Sequence, residues 1–223
     1  MIAQTWAVLR KELLVEWRDR SRISGLFFFA LAVVLLMAFA SPSEGILKQQ
    51  AGGTLWVALL LASTRSLDQS FATETEHGAL EGLILWPVDA RAVFYGKALA
   101  NTLVLLLVAI SIVPLLFGMY GAEIRGSLLM LVGFLVFGCA ALGAPGTLFG
   151  AIVAQARGSS VLLPLLLFPL VVPAVLAASK GTTVVMEGDP MGQGGSWLGL
   201  LIAFNALHWS LSGLFFGRVL EDG

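Results

Sequence analysis

The residues best suited to do something specific in this 223-residue chain lie in one polar stretch, residues 65 to 97, whose middle reads FATETEHGALEGLILWP from Phe71 to Pro87. Glu74, Glu76 and Glu81 make it acidic. Acidic residues contribute little to the orientation of a membrane chain, so these three are free for another task, and a basic protein surface is the partner they suit. Leu67 and Phe71 stand four apart on one helical face, Leu80, Leu83 and Ile84 form a second apolar patch, and Gly78 and Pro87 punctuate the stretch. The pattern predicts two short helices around a bend that dock into a groove on a soluble subunit. A solvated connector with an interfacial helix is the alternative.

Other chemistry has little to stand on. His208, with Asn205 one turn before it, is the only titratable side chain well inside an uncharged run. A lone His without a second ligand makes a weak metal or haem site, and a polar contact between helices is the preferred reading. Ser159 and Ser160 follow Gly158 with no acid or base nearby, which leaves a serine nucleophile without activation. Gly96-Lys97-Ala98 lacks both the upstream glycine and the hydroxyl of a phosphate-binding loop, so the chain is not expected to hydrolyse ATP by itself. The single Cys139 allows no internal disulfide. No Asp or Glu falls in the middle of an apolar run, which argues against a proton-coupled carrier and against an intramembrane protease.

The elements that must hold these residues are set by composition. Hydrophobic residues make up 58% and charged residues 12%, against about 25% charged in soluble domains, so a water-soluble globule is excluded. Eight of the charges fall in residues 1 to 22 and eight more in residues 65 to 97. A bilayer core about 30 Å thick needs about 20 apolar residues. Runs of that kind are Ile23–Ala40, Ala98–Tyr120, Gly158–Ser179 and Ser196–Gly217; Ala51–Thr64 reaches full length if Lys48 and Arg65 snorkel at opposite faces. Between Arg125 and Arg157 lie 31 uncharged residues, about 46 Å as one helix, and Gly143, Pro145 and Gly146 are read as the break that shortens it. Pro164, Pro169 and Pro173 are read as kinking the next span. The whole is one all-α membrane domain of six spans over residues 1 to 223, with an external loop at 180–195.

Residues 1–22 read as an elbow helix on the membrane surface, with Ile2, Trp6, Leu9, Leu13 and Trp17 in one stripe and Arg10, Lys11, Glu12, Arg18 and Asp19 off it. The first apolar run starts too late and lacks the cleavage pattern of a signal peptide, so it reads as a retained span. Six spans put both termini on one side. That side carries ten basic residues, and the other only Lys48, Arg125 and Lys180, which places both ends and the acidic stretch in the cytoplasm.

The chain resembles the CcmB family, the membrane permease component of the haem-export, cytochrome c maturation ABC complex. The resemblance rests on Gly78-Ala79-Leu80-Glu81-Gly82-Leu83-Ile84-Leu85-Trp86-Pro87, on Lys97 opening the third span, on Leu142-Gly143-Ala144-Pro145-Gly146, on Arg157-Gly158 and on the proline-repeated fifth span. It implies an ABC-2 exporter-type permease in a bacterial inner membrane, with Phe71, Glu74, Glu76, Gly78, Leu80, Glu81 and Leu83 as the ATPase-coupling element. Implied partners are the ATPase CcmA, the haem-handling membrane subunit CcmC, the small subunit CcmD and the haem chaperone CcmE, all within the lipid bilayer or beside it; no nucleic acid is expected. Haem enters as cargo and ATP through the partner ATPase, and no directly bound cofactor is implied. A non-transporting scaffold for haem-protein assembly, or a permease for another substrate, stands as the alternative.

Overall fold

The computed structural model describes residues 1–18, 20–76, 89–155 and 161–221. Among them are seven helices and no strand: α1 (Ile2–Arg18), α2 (Arg20–Ala40), α3 (Glu44–Glu76), α4 (Ala90–Tyr120), α5 (Leu128–Gln155), α6 (Leu162–Glu187) and α7 (Gly194–Glu221). Helix is the expected outcome for apolar segments of this length, because in lipid every backbone N–H and C=O must find its partner within the segment. The ends are fixed by local chemistry. Asp89 caps α4 by accepting from the Arg91 backbone N–H at 2.9 Å. Gly121, at φ +59°, supplies the left-handed residue that ends α4. Asp189 caps α7 twice, accepting from the N–H groups of Gln193 at 2.7 Å and Gly194 at 2.8 Å.

Among the described residues five helices are long and apolar enough to cross a membrane: Ile23–Ala40 within α2, then α4, α5, α6 and Gly194–Val219 within α7. The expected second span belongs to α3, which is 33 residues long but carries Lys48, Arg65 and Asp68 and is less apolar overall. It is nonetheless enclosed by protein: Leu55, Trp56, Leu59, Ala62 and Leu67 are fully buried, and α3 packs against α2, α4, α5 and α6.

Three expectations need correction. The stretch from residue 65 to 97 is not a free-standing polar piece, because α3 continues unbroken to Glu76 and α4 resumes at Ala90. Gly143, Pro145 and Gly146 do not break α5, which runs through them for 28 residues. Membrane helices tolerate such residues when neighbouring side chains fit against the freed backbone, and Thr102 and Leu67 do so here: a Cβ at Gly143 would collide with the Thr102 hydroxyl, and one at Gly146 with Leu67. Pro164 lies in the first turn of α6, where its missing N–H had no helical partner anyway, while Pro169 and Pro173 are inside the helix with exposed side chains. Finally, the segment 180–195 is mostly helical. Because Gly181, Thr182, Val185 and Met186 are buried against the bundle, α6 extends to Glu187 and only a short turn remains.

Candidate functional site

Lys97 lies two turns inside α4 with its side chain 2% exposed, and no charged residue follows it in the helix as far as Tyr120. Such a group needs a counter-charge, since leaving water costs far more than an unpaired ammonium recovers. The partner comes from α1. Glu12 places Oε1 at 3.3 Å from Lys97 Nζ, and Lys11 Nζ reaches the same oxygen at 3.0 Å. Burial pushes the Glu12 carboxyl up, yet the adjacent Lys97 and Lys11 ammonium groups outweigh that and hold it below its ordinary value. The helices meet closely enough for this only because residue 96 is Gly: a Cβ there would stand 2.6 Å from Val8 Cγ1.

This contact rearranges the expected elbow. Leu9 and Glu16 are buried with Glu12 on the bundle side, whereas Ile2, Trp6, Leu14 and Trp17 are exposed. The apolar stripe is therefore divided, Leu9 serving the protein and the tryptophans facing outward. The signal for it was a solitary Lys early in an apolar run with Glu12 and Glu16 one turn apart in the preceding helix, and sequence reasoning missed it.

Deeper along α4 a polar seam joins it to α5. Asn101 donates to Thr147 Oγ1 at 3.0 Å, and Thr147 donates to the Gly143 carbonyl at 2.7 Å. Farther on, the Trp56 indole of α3 donates to Thr182 of α6 at 3.0 Å and lies on Gly138 of α5. Phe134 of α5 fills the space left by Gly181 of α6. At Gly138, Gly143 and Gly181 the crossing is thus closed by a ring or hydroxyl set against a glycine.

At the opposite end of the bundle Glu123, between α4 and α5, binds Lys48 of α3 and Arg125, both at 3.3 Å. Hydrogen bonds to Lys48 and Arg125 lower its carboxyl below the ordinary value. The N–H groups of Arg125 and Gly126 donate to Val185 O at the end of α6, so this rim is tied across three helices.

Of the residues expected to couple, Phe71, Glu74 and Glu76 belong to the last turns of α3. Gly78, Leu80, Glu81 and Leu83 lie outside the described residues, as do Arg157, Gly158, Ser159 and Ser160. His208 makes no contact between helices through its ring nitrogen; Nδ1 is 3.0 Å from Phe204 O on its own helix and the imidazole stacks on the Phe204 ring at 3.9 Å. Its neighbour Asn205 makes the contact instead, donating to Phe137 O of α5 at 2.8 Å and accepting from Trp209 Nε1 at 3.1 Å. Among the described residues no three His, Cys, Asp or Glu side chains gather as metal ligands.

The arrangement contains a buried ionic joint at one end and close-packed helices between. A family model described as CcmB protein matches residues 3–221. Relatives described as "Heme exporter protein B" include one from Rhodobacter capsulatus, 35% identical over 70% of this chain and 71% of its own. Another from Escherichia coli K12 is 32% identical over 90% of this chain and 91% of its own, and one from Pseudomonas aeruginosa is 28% identical over 87% and 86%.

Proposed function

Because the chain belongs to the CcmB family and is a multi-pass membrane protein, we propose that it serves as the membrane permease subunit of an ABC transporter for haem export in cytochrome c maturation. ATP is hydrolysed by a separate ATPase subunit of the CcmA type, and the stroke is spent on haem export or on release of a haem-loaded chaperone of the CcmE type, with subunits of the CcmC and CcmD types alongside. Six spans, α2 to α7, cross a bacterial inner membrane with both termini in the cytoplasm, and α1 is the elbow.

The observation that carries this reading is the placement of the acidic stretch. It joins α3 and α4, whose buried faces run through the centre of the bundle. A soluble partner that grips Phe71, Glu74, Glu76, Gly78, Leu80, Glu81 and Leu83 therefore pulls directly on two interior helices. Leu80 and Leu83 are the apolar anchors and the three glutamates choose orientation.

The test is the double reversal Glu76→Lys with Glu81→Lys. Insertion should persist, since added cytoplasmic positive charge agrees with topology. ATPase retention in a detergent pull-down should fall and holo-cytochrome c should be lost in the same cells. Full retention with normal maturation would remove the coupling assignment.

A further inference from the structure

A cleft of about 530 Å³ opens where the start of α4 meets the end of α7, lined by Asp89, Ala90, Arg91, Leu214, Phe215, Gly217 and Arg218. Its floor is a close helix crossing, since a Cβ at Gly217 would stand 3.8 Å from Ala90 Cβ. One turn deeper, Tyr95 lies over Gly213 and stacks on Trp209 with ring centroids 6.3 Å apart, which fixes the two helices together. One wall is apolar and faces away from the bundle: Leu214 is 54% exposed and Phe215 47%. The rim is cationic, with one guanidinium from each helix, and Arg218 rests over the Phe215 ring at 5.9 Å.

These two arginines differ from the other paired cations. Lys11, Lys97, Lys48 and Arg125 each stand against a carboxylate, whereas among the described residues no carboxylate pairs with Arg91 or Arg218. Asp89, which also lines the cleft, turns its carboxylate onto the backbone N–H of Arg91 as a helix cap.

We propose that the cleft binds an anionic phospholipid, Arg91 and Arg218 holding the headgroup phosphate and Leu214 and Phe215 receiving the upper acyl chain. Guanidinium groups match phosphate oxygens in fork geometry. Basic pockets between membrane helices at the headgroup level take such lipids. A soluble anion would use the arginines but leave the apolar wall without purpose, so the two halves of the cleft together select an amphiphile.

The full chain, purified in mild detergent with the subunits that accompany it, is equilibrated with phosphatidylcholine micelles containing dioleoylphosphatidylglycerol, repurified, and its retained lipid counted by native mass spectrometry. The wild-type chain should retain phosphatidylglycerol over phosphatidylcholine. R91Q/R218Q should lose about thirtyfold in phosphatidylglycerol retention, as expected for two basic groups near a headgroup, while R91K/R218K keeps most of it. K48Q, at the other end, should change nothing. R218Q alone, in the last turn of α7, supplies the same comparison at a several-fold loss should the double variant fail to accumulate. Equal retention of both lipids by the wild-type chain, undiminished phosphatidylglycerol on R91Q/R218Q and R218Q, or complete displacement of the lipid by millimolar inorganic phosphate would overturn the proposal, the last by assigning the arginines to a soluble anion.

Discussion

Lys97 and Glu12 define what one residue can decide here. Glu12→Gln leaves a buried ammonium facing a neutral amide, and breaking a buried pair from one side costs about 3–5 kcal/mol. The expected result is early undocking of α1, read as faster hydrogen exchange over residues 2–18 with the α4–α7 core still protected. Lys97→Met with Glu12→Gln removes both charges and should recover much of the loss, because Met fills the same channel without needing a partner. Acid should mimic the single variant. The Glu12 pKa is depressed in the folded chain, so its contribution is complete above the ordinary carboxylate pKa of 4.5 and disappears as pH falls through the lower folded value. Protection of α1, measured relative to the intrinsic exchange rate at each pH, should therefore be flat from neutrality to about pH 4.5 and fall below it. Glu123 is depressed too but fully exposed, and Glu123→Gln should leave this acid response in place. Little of the joint was legible beforehand: Lys97 was visible as a motif residue, but its partner sits 85 positions earlier, a distance no local periodicity reports. His208 and Asn205 teach the same lesson, since spacing flagged both and only geometry distinguished the self-satisfied imidazole from the amide that bridges α7 to α5.

At the scale of helices, hydropathy is a sound guide wherever one whole face meets lipid. The run Ile23–Ala40 lies within α2 and ends with it at Ala40, and the third and sixth runs lie within α4 and α7. Helix α3 was the hardest to read because protein covers it and relieves its sequence of the need to be uniformly apolar. Breakers misled for the converse reason. Glycine and proline stop helices in water, but at 138, 143, 146 and 181 the missing side chains are space that Trp56, Thr102, Leu67 and Phe134 occupy. Gly138→Val would drive two γ-methyls and a Cβ into the Trp56 indole, an overpacking fault that typically costs about 1–3 kcal/mol and here also threatens the hydrogen bond to Thr182. Loss of monodisperse protein in detergent, partly restored by Trp56→Ala in the same chain, is the expected pattern. A Gly138→Val chain as stable as the parent would mean that α3 and α5 are not held by this contact.

Over the whole molecule, the two rims carry different charge architecture. Glu123 gathers Lys48 and Arg125 at one end, while the other holds the Glu12–Lys97 joint, Arg91 and Arg218. With the second rim cytoplasmic, single cysteines in a Cys139→Ser background should label from outside at Gln49 and Gln193 and from inside at Thr75. External labelling at 75 would invert the reading. Basic-residue counts lead to this expectation because orientation depends on which loops carry Arg and Lys, a property of sequence alone. The length of the helices was less accessible. Helix α4, at 31 residues, measures about 46 Å and overshoots a 30 Å core, which is how its first turns come to stand among α1 and the end of α7.

The division of the tryptophans gives the chain a built-in optical depth gauge. Trp56 is sealed in the bundle and bonded to Thr182, whereas Trp6 and Trp17 are each 66% exposed on α1. In a chain whose other three tryptophans, Trp86, Trp197 and Trp209, are replaced by Phe, brominated acyl chains should extinguish the emission of Trp6 and Trp17 and spare Trp56, leaving a residual blue-shifted signal from a dry indole. Trp6→Phe with Trp17→Phe should abolish most of the quenchable fraction. Lifting α1 off its bed by acid should return part of that light, so the posture of one helix could be followed in the intact complex during turnover without attaching a dye.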